Sequence, residues 1–420
     1  MRHFKLSFGL YIAMLCSTAL ADHPNEGQIV ITQLINEAEQ KSLEIKQAEE
    51  NLNTLKSKSN SQYGRYSPKL SIEGGPQTTN FDGEKQSDTS IYGKAEWNIY
   101  SGGSDKAAAD QNKSEVEIEE RRLQIIKNKV KNDVSKIYYE IQFLLESITL
   151  KKKALELNSQ QIKIAKAKNN SGFTTNSDVL EFDLRDSTLQ SDLILLNQQL
   201  EQKSRDLNIV LSKKNSQDVI QVKGHLERVS TDFNRNYLIQ RIKTHNEQIL
   251  LSNNDLKKIQ AEKKIAESNY LPKLDLEAKY GKLANEEKVF NNKTNYAIAL
   301  KVKIPLFSGF EDYNLNKSLN AKNQAIQHEI NQKNISLDSE VDILLSEIKA
   351  LNSRLDLEEK NIEKSEKYYK LTLDEYKRGV KNSPDMVGAS ERLLDARIRN
   401  LEYRRDLLLT KMKIQNLVGE

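Results

Sequence analysis

The 420-residue chain has one cysteine, six prolines, one tryptophan and only 6% aromatic residues, too little for the usual enzyme core. The single Cys16 lies in an N-terminal apolar run, so the rest of the chain has no thiol for a disulfide, a metal site or nucleophilic catalysis. That run, from Leu6 to about Leu15, is too short and too close to the N-terminus for a stable spanning helix. Histidine is sparse beyond it: His23, His225, His245 and His328 stand apart without metal-ligand spacing and read as solvated helix or loop residues. A Gly-rich phosphate loop and a nucleophile elbow are also missing, so no catalytic residue, metal or cofactor is expected. The net charge of +4 falls to +2 when Arg2 and Lys5 are set aside (4 − 2), and both signs alternate throughout, which excludes a nucleic-acid partner.

What the chain has in quantity is charge, 30% of residues, and the composition reads as long charged helices. Residues 1–21 run MRHFK, the apolar stretch and STALA ahead of Asp22, with Ala19-Leu20-Ala21 as a small-x-small cleavage site. A signal peptide over 1–21 and export are therefore expected. Leu15 is too bulky before Cys16 for a lipoprotein site, so no lipid anchor is expected.

The remainder repeats. Tyr66-Ser67-Pro68 echoes Tyr270-Leu271-Pro272 at an offset of 204, Ser101-Gly102 echoes Ser308-Gly309 at 207, and the 207 offset continues through Gly172 and Gly379, Asp178 and Asp385, and Arg185 and Arg392. Two tandem units of roughly 200 residues are predicted, over 22–214 and 236–420, with 215–235 as a linker of short irregular structure.

Each unit carries two segments of period two. Over 270–307, Leu274, Leu276, Ala278 and Tyr280 alternate with Lys273, Asp275, Glu277 and Lys279, and Tyr296, Ile298, Leu300, Val302 and Ile304 alternate with polar or small residues including Lys301 and Lys303. Over 66–100 the pattern is weaker, with Leu70, Ile72, Ile91, Ala95, Trp97 and Ile99 as its apolar members. The alternation predicts β-hairpins with one apolar and one charged face, their strands about 9 to 11 residues long and able to cross a bilayer when tilted. A soluble hairpin lying on a core shows the same alternation, although little else in the chain could supply that core.

The helical seams are narrow. Val116, Leu123, Val130, Ile137 and Leu144 fall seven apart, as do Val134, Ile141, Ile148, Leu155 and Ile162. The rows return 207 residues later as Ile330, Leu337, Leu344 and Leu351 and as Val341, Ile348, Leu355 and Ile362. Two rows four residues apart predict coiled-coil helices over 104–168 and 311–377, each about 100 Å long. Gly172 and Gly379 end them as left-handed caps, and shorter arms over 178–212 and 385–417 start at Ser177-Asp178 and Ser383-Pro384-Asp385. Helical hairpins over 104–212 and 311–417 result. The arms cover half of each long helix, and segments 29–62 and 236–268 have the length and composition to cover the rest.

In this order the elements resemble the TolC family of outer-membrane efflux and secretion channels. The resemblance spans everything after residue 21 and is carried by the duplicated unit, YSPKL and YLPKL at the strand starts, IPLFSGF at 304–310, YKRGVKNSPDMVGASERLLDA at 376–396 and NLVG at 416–419. It implies a mostly α fold with a membrane β-barrel: a homotrimer whose chains each give four strands to a twelve-stranded barrel, continuous with a long periplasmic α-helical barrel. It implies the outer-membrane exit duct of a tripartite efflux pump or type I secretion system, extending into the periplasm and working with a periplasmic adaptor (membrane fusion protein) and an inner-membrane transporter. Trp97, Ile99, Ile298 and Leu300 are then expected to face outer-membrane lipid, and Lys273, Glu277, Lys301 and Lys303 the lumen. A periplasmic coiled-coil adaptor or structural protein would also show exported helical hairpins, but it would not need four amphipathic strands.

The resemblance further implies a periplasmic gate at the hairpin tips. Tyr376 is expected to hydrogen-bond to Asp178, Lys381 to reach toward Ser177, and Asp385, once per chain, to form a constricting ring. Lys381 stands where the family commonly has arginine, which weakens that link, and Gly388 where it has a second aspartate, with Glu181 as a candidate substitute. Read from the residues alone, Asp178 and Asp385 are also explained as carboxylates at helix N-termini, worth about 0.3 to 1 kcal/mol against the helix dipole.

Overall fold

A computed structural model describes residues 30–81, 84–213, 222–282 and 295–419. The expected signal peptide with Cys16 lies outside these residues, as do 214 and the first part of the linker, 215–221, and the 283–294 segment of the second hairpin. In chain order α1 (Ile31–Lys41) and α2 (Leu43–Ser61) lead into β1 (Lys69–Phe81), β2 (Glu84–Tyr100), α3 (Ser104–Asn170) and α4 (Asn176–Val210). The second half runs through the same order as α5 (Arg235–His245), α6 (Glu247–Glu267), β3 (Lys273–Lys282), β4 (Asn295–Lys303), α7 (Glu311–Lys377) and α8 (Ser383–Leu417). The long helices have 67 residues each and the arms 35.

The seven-residue rows bury themselves in the middle of each long helix. In α3, Val130, Val134, Ile141, Leu144 and Ile148 pack with Leu34 and Ala38 of α1, Ile45 of α2, and Leu200 and Leu207 of α4. In α7, Leu337, Val341, Leu344, Ile348 and Leu351 meet Leu238 and Ile242 of α5, Ile249 of α6, and Leu407 and Ile414 of α8. Each core therefore forms where an arm ends and an N-terminal helix takes over the covering of the seam.

That handover breaks the covering helices, which the residue pattern reads as single segments. The breaks fall at Ser42 and Asn246, both extended (ψ 123° and 121°) and both buried. Each caps the helix that follows, Ser42 accepting from the Ile45 N–H and Asn246 from the Gln248 and Ile249 N–H groups. The cause is the arm that terminates alongside. The Leu43 N–H donates to Ser212 Oγ at 3.2 Å, and Asn246 Nδ2 donates to the Leu417 carbonyl at 3.0 Å. At each break a helix-end backbone group, the Leu43 amide or the Leu417 carbonyl, is satisfied by a side chain from across it.

The strands form one antiparallel sheet in the order β1-β2-β3-β4, with β1 and β4 at its edges. Register aligns Leu70, Ala95, Ala278 and Ile298 on one rung and Trp97, Leu276 and Leu300 on another. Intervening rungs carry Lys69, Glu96 and Glu277, then Ser71, Lys94 and Lys279, so apolar and charged residues take opposite faces. β3 and β4 have 10 and 9 residues, whereas β1 and β2 extend to 13 and 17, longer than the alternation predicts. Backbone ladder bonds, which have no signature in side-chain alternation, pair the extra rungs. A bulge between Asn98 and Tyr100 sets Tyr100, rather than Ile99, opposite Leu274. Among the described residues no helix is long and apolar enough to cross a membrane.

Candidate functional site

The two hairpin tips are built alike. The Phe173 N–H donates to the Lys168 carbonyl and the Gly172 N–H to that of Asn169; 207 residues on, Val380 and Gly379 bond Glu375 and Tyr376 in the same way. Gly172 (φ +75°) and Gly379 (φ +81°) supply the left-handed residue this turn requires. The arms are capped by Thr175 and Asn382, each accepting from the amide of the aspartate three residues later. These caps precede Ser177 and Ser383, the expected starts. Asn176 is the first helical residue of α4, and Ser383 is the first of α8 rather than its cap with Pro384 first, because Thr175 and Asn382 are the residues whose side chains reach the third free amide.

Asp178 and Asp385 hold equivalent positions but make different bonds. Asp178 Oδ2 accepts from the Thr175 N–H at 3.2 Å, from Thr175 Oγ1 at 3.0 Å and from Thr174 Oγ1. Its Oδ1 crosses to α8 and accepts from Ser383 Oγ and from the Ser383 N–H at 3.4 Å. These donors, Ser383 Oγ foremost and Thr174 Oγ1 next, hold the carboxyl well below the ordinary carboxylate range. Asp385 is half-buried and pairs with Lys381, one turn before it, at 3.7 Å.

The expected bond between Tyr376 and Asp178 is not made. The Tyr376 hydroxyl is buried without a hydrogen-bond partner among the described residues, since the Asp178 oxygens are occupied by Ser383, Thr174 and Thr175. The Tyr376 ring instead packs edge-on against Phe182, with centroids 5.7 Å apart, and beneath the Lys168 ammonium, 4.4 Å from its centroid. Lys168 Nζ also donates to the Tyr376 carbonyl. Burial, and after it the Asp178 charge, pushes the phenol above its ordinary value. Lys381 turns to Asp385 rather than to Ser177, because the i,i+4 spacing brings that carboxylate within reach; the Ser177 hydroxyl meets Thr175 Oγ1 at 2.8 Å. Glu181 lies half-buried on α4, three residues past Asp178, and makes no ion pair among the described residues.

Residues the sequence reading passed over join Tyr376 in closing the tip. Ala165, Phe182, Tyr376, Met386 and Val387 form a small core drawn from all four hairpin helices. Arg185 bridges to Glu391 at 2.8 Å, and Asn158 Nδ2 donates to the Phe182 carbonyl at 2.9 Å. Thr175 carried a legible signal, since Thr-x-x-Asp is a capping-box pattern. Ser383 and Lys168 carried none, because their partners lie 205 and 208 residues away.

At the opposite end, the charged face of the sheet sets Lys94 between Glu73 (3.3 Å) and Glu96 (2.5 Å), and Glu277 between Lys279 (2.9 Å) and Lys301. Lys273 and Lys303 face each other across β3 and β4. On the other face Ile72, Ile298 and Leu300 are 85%, 69% and 59% exposed, more contiguous apolar surface than water tolerates without a partner. Trp97 shares that face and donates its Nε1–H to the Tyr66 carbonyl at 3.0 Å, while Ile99 lies at the bulge.

Two helix stripes also lack cover. In the tip half α3 packs on α4 and α8, and α8 packs on α7 and also meets α4. On the flanking α4, Leu180, Leu184, Ser187, Ser191 and Ile194 are spaced four-three-four-three, and Leu180, Leu184 and Ile194 are exposed. On the flanking α7, Ile343, Ala350, Leu357, Lys364 and Leu371 recur every seven residues, all exposed. No group of three or more His, Cys, Asp or Glu among the described residues could hold a metal ion.

Residues 34–211 and 238–420 match the family described as outer membrane efflux protein. By sequence, no curated protein matches the chain. Among solved structures, CusC, crystallised in work on folding and transmembrane channel formation, superposes with a TM-score of 0.81 at 14% identity, covering 93% of this chain and 92% of that one. The outer membrane protein VceC of Vibrio cholerae gives 0.79 at 15% identity, over 93% and 96% of the two chains. The CmeC outer membrane channel of Campylobacter jejuni gives 0.80 at 14%, over 93% and 85%. At these identities the likeness is one of fold.

Proposed function

The chain belongs to the outer membrane efflux protein family, and from that premise we propose that three copies close into one twelve-stranded β-barrel continuous with a periplasmic α-helical barrel. The family sets the protein in the outer membrane, extending into the periplasm, as the channel of a tripartite efflux pump rather than as an adaptor or an enzyme.

The observation that carries the trimer is a four-stranded sheet with an exposed apolar face and, among the described residues, edges at β1 and β4 that no further strand pairs. Unsatisfied backbone groups cost several kcal/mol each in lipid, and pairing β4 of one copy with β1 of the next leaves no open edge. The stripes on α4 and α7 support the same closure, since they flank the chain and repeat with coiled-coil spacing. In this arrangement Trp97, Ile99, Ile298 and Leu300 face lipid and Lys273, Glu277, Lys301 and Lys303 face the lumen. The units 22–214 and 236–420, joined by 215–235, act as paired staves of one tube. The tips, with Gly172 and Gly379 at their turns, point toward a periplasmic adaptor and an inner-membrane transporter. Ser177, Asp178, Glu181, Tyr376, Lys381 and Asp385 surround the entrance, where Asp385, whose ion pair among the described residues is with Lys381 of the preceding turn, is placed to form an acidic ring that favours cations. Membrane fractionation of the full-length protein, followed by electrophoresis with and without heating, tests the assembly. A heat-sensitive trimer in the outer-membrane fraction is expected, it should be lost in Leu184→Glu and Leu357→Glu, and a soluble monomer refutes the reading.

A further inference from the structure

Asp178 divides its oxygens between two helices. Oδ2 stays within the α4 cap, bonded to Thr174 and Thr175, as a carboxylate at a helix N-terminus does. Oδ1 leaves the hairpin and takes both the hydroxyl and the amide of Ser383. An aspartate present only to offset the α4 dipole needs neither. Ser383 is fully buried and is the first residue of α8, so its amide is among those a helix cannot satisfy internally, and Pro384 beside it has no N–H to share the contact. One carboxylate thus caps two helices that belong to different hairpins. The repeat does not reproduce this: Asn176 stands where Ser383 does, and Asp385 pairs with Lys381 of its own hairpin turn.

We infer that Ser383 is the positioning residue of the tip: through Asp178 it latches the α7–α8 hairpin to the α3–α4 hairpin of the same chain, while Tyr376 contributes packing and no hydrogen bond. The consequence for conduction rests on the gate reading above; the latch itself does not. Charge-assisted bonds to a carboxylate are roughly twice as strong as neutral ones, so removing the hydroxyl should make local opening of the tip about tenfold more frequent.

The test is hydrogen exchange, read by mass spectrometry on the purified full-length protein in detergent, at peptides covering 172–185 and 378–390. Ser383→Ala is expected to speed exchange about tenfold at both tips, and Tyr376→Phe to leave it at the wild-type rate. Asp178→Ala is expected to speed exchange by itself, and Ser383→Ala to add little on top of it, because the two act as one bond. The latch is overturned if Ser383→Ala exchanges like wild type, if its effect adds in full to that of Asp178→Ala, or if Tyr376→Phe matches it. Single-channel conductance of Ser383→Ala in planar bilayers is the independent readout. A rise joins the latch to the gate, whereas faster exchange at unchanged conductance leaves the latch standing and removes the gate assignment.

Discussion

Leu300→Lys puts a charge on the rung shared by Trp97, Leu276 and Leu300. The paired tyrosines Tyr280 and Tyr296 lie four residues along β4 from it, about 13 Å at 3.3 Å per residue. For a strand tilted by about 40° that is about 10 Å along the membrane normal, well inside an apolar band of about 25 Å. A lysine at such depth costs about 2 to 4 kcal/mol, and because one barrel carries three copies the total is about 6 to 12 kcal/mol. Lys303→Ala, three residues on, lies on the charged face and removes no apolar contact with lipid, so it should leave assembly intact and alter conductance. The assay is the yield of heat-sensitive trimer in the outer-membrane fraction for each variant beside wild type. Near-complete loss for Leu300→Lys with normal yield for Lys303→Ala is expected. Equal yields would refute the assignment of faces, since a pleated strand cannot present both residues to the same medium.

Asp385→Ala should lower cation selectivity and cation block in planar bilayers with the fold intact, because its ion-pair partner Lys381 lies in the turn just before its own helix; unchanged selectivity returns Asp385 to a helix-terminal role worth about 0.3 to 1 kcal/mol. Asp178 titrates in the folded protein below the ordinary aspartate value of about 3.9, so its bonds contribute stability at every pH above that value and lose it only as pH falls through the lower folded one. Tip exchange, corrected for its intrinsic rate, should therefore be flat from about pH 8 to about pH 5, and a tenfold rise across that range would contradict the bonding to Ser383 and Thr174.

Much of this molecule is legible along the chain because its longest elements are specified by neighbours. Heptad rows and flanking glycines predict helices over 104–168 and 311–377, and the helices run over Ser104–Asn170 and Glu311–Lys377. A helix buries a stripe set by its own period, so three- and four-residue spacings carry the information. Alternation in the same way separates Leu274, Leu276, Ile298 and Leu300 from Lys273, Glu277 and Lys301 before any pairing is known. Tertiary structure decided whatever depends on a group arriving from far along the chain. The breaks at Ser42 and Asn246 follow from the arm ends that reach them, through Ser212 and Leu417. Asp178 bonds Ser383 rather than Tyr376 for a related reason. Both donors approach the same carboxylate, and the packing of Phe182, Met386 and Tyr376 between the hairpins sets the Ser383 hydroxyl and amide on Oδ1 while the phenol stays buried, with no hydrogen-bond partner among the described residues. Hydrogen bonds form over a few tenths of an ångström, and only the docking of two hairpins some 200 residues apart sets distances that finely.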